Sequence, residues 1–417
     1  MHRVPAVIIG AGQAGLAVSA LLSAAGLEHV VLERGDPAQR WRSQSWESLR
    51  LLTPNWLSRL PGWRYPGPDP AGFMTAGAVT DYLTAYAGGS GAPVVAGADV
   101  LSVRPGAGAG YRITSTAGTW DAAAVVVATG WCDLPSVPAM AAALPAGVAQ
   151  LTAATYRRPA AVADGAVLVV GASASGVQLA DELAAAGRRV VLAAGTHTRV
   201  PRCYRGLDIL WWLDAMGTLD RPLSAADWAR PGGDPSLQLA GRADLRDVDL
   251  PALQGRGVTV AGRLIAADGG RVRFADDLPA STAAAQARLR RLLARIDAYA
   301  GAAGLAEEIL PAAPVAPVRA AGAATELDLA AAGIRTVLWA TGYRRAYRWL
   351  HVPVLDPAGE IRHTAGVTPA PGLYAAGMRR QTRRSSTFLD GVRHDAALVA
   401  ARVLADVGAA ALPEAAA

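Results

Sequence analysis

Val4–Glu33 reads VPAVIIGAGQAGLAVSALLSAAGLEHVVLE, and the order of its residue types decides the fold. A short apolar run, Val7–Ile9, has the character of a strand buried on both faces. Gly10, Gly12 and Gly15 follow in the order G-x-G-x-x-G and lead into a helix of small residues that Gly26 can end. A second apolar run, His29–Leu32, stops at Glu33. Each glycine has a separate task. Gly10 permits the tight strand-to-helix turn, Gly12 lets backbone approach a pyrophosphate, and Gly15 lets helix and strand pack closely. The helix N-terminus offers unpaired N–H groups and partial positive charge to phosphates. Glu33 can accept both hydroxyls of an adenosine ribose. Together these parts predict a Rossmann-like dinucleotide-binding unit.

Two other readings of the basic start and apolar run fail on the same residues. A secretory signal peptide has no use for three spaced glycines or an acid closing a second strand. A membrane span needs roughly 20 unbroken apolar residues, and glycines interrupt every long run here. Composition narrows the class further. A length of 417 residues suggests two domains, and 52% hydrophobic residues suffice for buried cores. Cys132 and Cys203 form no C-x-x-C pair, which suits a reducing cytoplasm and offers no dithiol redox centre. The net charge of +6 comes from 40 basic residues that are all arginine, and Asn55 is the single asparagine. Such usage follows from GC-rich codons and is no sign of a nucleic-acid partner. The one tight basic cluster, Arg379, Arg380, Arg383 and Arg384, suits a phosphate-rich cofactor.

Along the chain, residues 40–67 form an irregular segment rich in Trp, Arg and Pro, of the kind that covers a ligand or packs domains together. Asp81–Tyr86 predicts a helix, and residues 92–120 predict a small antiparallel meander inserted in a parallel-sheet domain. Ala123–Ala128 predicts a buried strand ending in Thr129-Gly130. Val167–Leu183, VLVVGASASGVQLADEL, then repeats the opening unit, with Gly171-x-Ser173-x-x-Gly176 as its turn. No acid follows its next strand, Val190–Leu192. Arg199, Arg202 and Arg205, with the Thr196 hydroxyl, come instead. A ribose carrying a 2′-phosphate is repelled by a carboxylate and favours arginine, so this unit points to NADPH. Leu207–Leu213 predicts a helix carrying Trp211 and Trp212, and Arg288–Tyr299 a charged surface helix. Val337–Tyr343 ends in the same Ala-Thr-Gly as residues 128–130. Leu373–Gly377 is a short strand, Asp390–Asp406 a last helix, and the ALPEAAA tail is frayed.

Two such units, each answered by an A-T-G strand end, resemble the two-dinucleotide-binding-domain flavoproteins. The chain is most similar in pattern to their flavin-containing monooxygenase group (class B, single-component). The likeness runs through GAGQAG at 10–15, ATGW at 128–131, YRRP and VLVVGASASG at 156–176, HTRVPRCYRG at 197–206, ATGY at 340–343 and SSTFLDGV at 385–392. It implies an α/β fold of two Rossmann-like domains. The FAD domain would comprise residues 1–155 and 336–417, and the NADPH domain would be inserted as residues 156–335.

The resemblance also implies the site. FAD would meet Gly10, Gly12, Gln13, Ala14, Gly15, Glu33, Arg34, Trp41, Arg42, Thr53, Val100, Thr129 and Gly130. Thr341, Gly342, Ser386 and Thr387 would complete the cofactor contacts. NADPH would meet Gly171, Ser173, Ser175, Gly176, Thr196, Arg199 and Arg202. Asn55, in the Leu51–Trp56 loop, would be the catalytic polar group at the reactive flavin edge, with a turn residue after Pro54 as the alternative. The implied reaction is hydride transfer from NADPH to FAD, addition of O2, and passage of one oxygen from a flavin hydroperoxide to a small organic substrate by N-, S- or C-oxygenation. Such chemistry needs few acid–base side chains, in keeping with six histidines and no visible triad. A flavin-dependent NADPH oxidase or reductase without oxygen insertion is the alternative, and a regulator without turnover a third reading. No metal, nucleic acid or membrane is expected, and a homodimer is the expected assembly. The likeness is incomplete at 147–156. There GVAQLTAATY stands where the group carries F-x-G-x-x-x-H-S-x-x-Y, so Thr152 replaces the histidine while Tyr156 fits.

Overall fold

The computed structural model describes residues 2–228, 235–305 and 307–411. Residues 412–417, most of the tail expected to fray, lie outside the described residues. The described residues form two main sheets, each built around a core of parallel strands.

The first sheet has seven strands, with His2–Ile9 between His29–Leu32 and Gly118–Val127, all parallel. Their apolar residues are buried on both faces, as continuous rather than alternating apolar runs require: helices cover one face, and the strands at 100–122 with residues 347–361 cover the other. Helix Gln13–Ala24 and the C-terminal helix Val392–Ala411 pack together on one side, where Leu16, Leu22, Val399 and Val403 are buried. The expected meander is present, but it is part of this sheet rather than an insertion beside it. Val100–Pro105 pairs with Tyr111–Ser115, which pairs antiparallel with the first half of Gly118–Val127. The second half of that long strand takes Leu373–Ala375 as its parallel neighbour. One strand thus carries what the sequence divides into two.

The second sheet has five parallel strands in the order Ala149–Thr152, Ile334–Trp339, Ala166–Val170, Val190–Ala193, Thr259–Ala261. This corrects the expected domain limits. Both Ala149–Thr152 and Ile334–Trp339 pair inside the second sheet, so residues 155 and 336 are not the boundaries. The crossings lie further out, at a two-stranded link where Leu134–Pro135 pairs with Tyr343–Arg344. The error has a simple origin: an apolar strand ending in A-T-G closes each unit, and the second copy belongs to the second sheet.

Two helices also differ from expectation. Ile209–Ala215 begins after Asp208, whose side chain accepts the Leu210 N–H. Trp212 there is fully buried, edge-on to Trp211 and Tyr299. The charged helix is longer than the sequence suggests, Leu278–Ala302, and not confined to the surface. Leu289, Leu293 and Ile296 bury one face against Leu57, Leu210 and Trp212. Among the described residues no helix is long and apolar enough to cross a membrane.

Candidate active site

The two glycine turns have one geometry. Gly10 has φ +104° and Gly171 φ +106°, a region that disfavours any side chain. A Cβ on Gly15 would lie 1.9 Å from the Gly10 carbonyl oxygen, and one on Gly176 would lie 1.7 Å from that of Gly171. Helix and turn touch there, so only hydrogen fits. The repeated A-T-G finds its reason in the same place. A Cβ on Gly10 would lie 2.8 Å from the Ala128 carbonyl oxygen, and one on Gly171 2.5 Å from that of Ala340. The third strand must pass each turn with a small residue. Gly12 differs: nothing lies within 4 Å of its would-be Cβ, which projects into open space. That space is a cradle which a side chain would fill, and it fits a pyrophosphate.

The first turn and the start of the helix that follows the second turn border a single cavity of about 1090 Å³. Small-molecule sites commonly occupy about 300–1,000 Å³, so this one is at the top of that range. On the first side Gly10, Gly12, Gln13 and Ala14 line it, with Glu33 and Arg34 at the end of the second strand. Gly15 stands behind them as the packing glycine. Glu33 is nearly buried; its carboxylate accepts the Ala11 N–H at 2.7 Å and the Gly35 N–H at 3.2 Å. Both bonds aim it along the glycine loop, with lone pairs left for a ribose. Trp41, Thr53, Val100, Thr129 and Gly130 also line the cavity, as expected. Gln13 Nε2 donates to the Thr387 carbonyl at 3.4 Å, joining the glycine loop to the C-terminal segment, where Ser386 and Thr387 face the cavity. Arg42 is exposed outside it.

On the second side Ser175 and Gln178 line the cavity from helix Ala174–Ala185, while Gly171, Ser173 and Gly176 shape the turn behind. Ser173 is the N-cap residue but makes no capping bond with its side chain, which leaves the helix end open to an anion.

The structure corrects several expected roles. Arg199 and Arg202 are buried ion-pair residues rather than free phosphate ligands, although Arg199 borders the cavity and Arg202 does not. Arg199 donates to Asp249 at 2.6 Å and to Gln286 at 2.6 Å. Arg202, with no exposed surface, pairs with Asp208, donates to the Leu52 carbonyl at 2.8 Å, and stacks 5.1 Å from the Phe73 ring. It clamps the loop before Thr53 onto the second unit. Arg205 is held by Asp297 at 2.7 Å. Thr196 is exposed at the strand end, where it accepts a hydrogen bond at 3.2 Å from Arg263, a residue of the neighbouring strand's end. Arg263 escaped sequence reading because it lies 67 residues beyond Thr196. A parallel sheet brings successive strand ends together, a juxtaposition that no local motif records.

Thr341 and Gly342 do not line the cavity either. The Thr341 hydroxyl donates to the Ser136 carbonyl, and the Gly342 carbonyl accepts the Ser136 N–H at 2.9 Å, so both serve the link between sheets. Asn55 is not at the cavity. Its Nδ2 donates to the Asp69 carbonyl at 2.9 Å, and its Oδ1 accepts the Met74 N–H at 2.7 Å. The side chain pins residues 69–74 to the short 3-10 turn Asn55–Leu57, so the turn-residue alternative describes it. Thr152, in the place of the group's histidine, bonds Thr155 and lies outside the cavity as well.

Of the basic cluster, Arg379, Arg380 and Arg384 line the cavity, while Arg383 turns to the Asp220 carbonyl at 2.8 Å. Cys132 also faces the cavity, beside Arg40. Burial pushes its thiol up to about 11, so it is a protonated, weakly nucleophilic group.

A family model described as pyridine nucleotide-disulphide oxidoreductase matches residues 7–203. An uncharacterized CzcO-like oxidoreductase of Geobacillus kaustophilus is 29% identical over 400 residues, covering 95% of this chain and 97% of its own. The indole-3-pyruvate monooxygenase YUCCA1 of Oryza sativa subsp. japonica is 32% identical over 206 residues, about half of each chain (48% and 50%). Among solved structures, the flavin-containing monooxygenase from Stenotrophomonas maltophilia superposes with a TM-score of 0.69 at 20% identity, over 97% of this chain and 99% of that one. Two Rossmann-like sheets bordering one cavity give the chain a fold similar to that of the flavin-containing monooxygenases, and its sequence is similar to oxidoreductases of the pyridine nucleotide-disulphide type over residues 7–203.

Proposed function

We propose that the chain binds FAD in the first cradle and NADPH in the second, and uses them with O2 to insert one oxygen atom into a small organic substrate. The observation that carries this reading is the single cavity bordered both by the first glycine turn and by the start of the helix after the second. FAD, when bound, supplies the transfer of two electrons between a nicotinamide and O2. The protein's own residues do the rest. Gly12 and the N–H groups after it receive a pyrophosphate, and Glu33 receives a ribose. Ser175 and Gln178 line the second cradle, at the helix end where the coenzyme's pyrophosphate belongs. Thr196 and Arg263 stand at the strand end where a 2′-phosphate belongs, with no carboxylate in the place of Glu33. We assign coenzyme choice to that pair. Asp277 lies 3.7 Å from Arg263, so the arginine keeps a partner when no phosphate is present. Buried leucines and residues 40–53 of the Trp- and Arg-rich segment wall the cavity and limit the access of water. Free Cys132 and Cys203 suit a reducing cytoplasm, where we place the protein, as a homodimer.

The experiment is turnover of the purified protein with NADPH under labelled oxygen and a panel of amines, sulfides and ketones. Labelled product formed in proportion to NADPH consumed supports oxygenation. Stoichiometric H2O2 whatever is added supports the oxidase reading instead.

A further inference from the structure

Away from the two glycine turns the cavity is bounded by helices Ile209–Ala215 and Leu278–Ala302 and by Phe388. Leu210, Leu213, Leu219 and Leu292 give this end an apolar wall. Arg288, Arg291 and Arg295 line it too. At about 100° per residue these three fall within roughly 60° of arc on their helix, with Leu292 beside them on the inner side. The face therefore grades from apolar to cationic as it leaves the protein interior.

Among the described residues the charge on that face is not matched by acid. The helix holds one carboxylate, Asp297, and it is taken by Tyr204 at 3.0 Å and Arg205 at 2.7 Å. Among the described lining residues the carboxylates are Glu33, Asp99, Asp133 and Asp227. Glu33 is held by the glycine loop, Asp133 lies 3.9 Å from Arg34, and Asp227 is held by Ser224 beside Arg221. Arg288 spends one N–H on the His197 carbonyl at 2.8 Å, and Arg295 reaches the Thr218 hydroxyl at 3.3 Å. Arg291 has no ion-pair partner among the described residues. Like charges three and four residues apart weaken a helix by a few tenths of a kcal/mol per pair, so the arrangement gains from an anion laid against it. The coenzyme's own phosphates have places elsewhere, at the start of helix Ala174–Ala185 and at Thr196 and Arg263.

We infer that the substrate is an organic carboxylate with an apolar body: the body lies against Leu210, Leu213, Leu292 and Phe388, and the carboxylate is held by Arg291 and Arg295. This rests on the oxygenase reading only in calling the bound molecule a substrate. An Arg fork matches a carboxylate with two parallel N–H donors, whereas a neutral amide of the same shape leaves the charge without a partner.

The test is calorimetric titration of the FAD-containing protein, with NADP+ present, by naphthylacetate and by its neutral match naphthylacetamide. Naphthylacetate should bind at least about tenfold more tightly, the factor expected of one charge-assisted contact. In Arg291→Gln/Arg295→Gln the two probes should bind equally, with FAD content and NADP+ affinity unchanged. Equal binding of the pair by the wild type would overturn the inference. So would a preference that survives the double substitution, or variants that weaken NADP+ instead, since the arginines would then serve the coenzyme. Failure of the oxygenase reading would show separately, as NADPH consumption without labelled product, and would leave this binding comparison intact.

Discussion

The unit at 2–33 and the unit at 166–196 have nearly one backbone and different ends. Both place a glycine at φ near +105° after the first strand, both press a second glycine on the first one's carbonyl, and both receive an Ala-Thr-Gly strand alongside. They diverge where the second strand stops. The first ends on Glu33, whose carboxylate reaches back to the loop N–H of Ala11. The second ends on Gly195 and Thr196, with Arg263 arriving from the next strand. The cradle is thus generic, and the residue at the strand end selects what lies in it. A carboxylate there accepts free ribose hydroxyls and repels a 2′-phosphate; a hydroxyl and a guanidinium do the opposite.

The shared half of that comparison breaks most readily at its packing glycines. Gly15→Val and Gly176→Val each drive a side chain into a backbone carbonyl that cannot retreat, and each should cost at least about 3 kcal/mol. Soluble yield and a thermal melt read this directly; a Gly176→Val protein melting like wild type would mean that the helix does not rest on the turn. Removing the buried partner of Asp249 should be nearly as damaging. Arg199→Ala is expected to lose about 3–5 kcal/mol of stability, because a buried carboxylate remains unpaired, without altering the ratio of NADPH to NADH use. Gly12→Val sharpens the comparison from the other side. Its side chain meets only open space, so the protein should fold with a near-normal melting temperature and yet retain no FAD. The differing half is tested by Arg263→Ala, which should raise the Michaelis constant for NADPH about tenfold to a hundredfold and leave that for NADH nearly unchanged. The smallest effect on chemistry belongs to Asn55→Ala. It should lower stability by about 1–3 kcal/mol through its two lost backbone bonds while product formed per NADPH stays the same.

What the sequence made legible was local. Strand, glycine turn and helix are dictated within some thirty residues, so both units and the cavity-lining residues Gly12, Gln13, Glu33 and Ser175 could be read directly. Charge next to a strand end was legible too, but not its partner. Arg199 and Arg202 looked available because Asp249 and Asp208 could not be placed against them before folding. Asn55 stands out as the only asparagine, but its rarity does not say whether its bonds are structural or chemical; they are structural, to the backbone of Asp69 and Met74. The domain limits failed for a related reason: an A-T-G strand closes either sheet equally well, and register alone decides which. The arginine face of Leu278–Ala302 was visible as charge, while the cavity it borders is made by segments far away in the chain.

The central claim, one flavin cradle and one phosphate-selecting cradle serving a single cavity, is tested most directly by anaerobic reduction of the purified protein followed at the flavin's visible band. The account predicts a yellow protein bleached by one equivalent of NADPH, hardly touched by the same amount of NADH, and recoloured on admitting air. A protein that retains no flavin, or one bleached equally by both coenzymes, would contradict it.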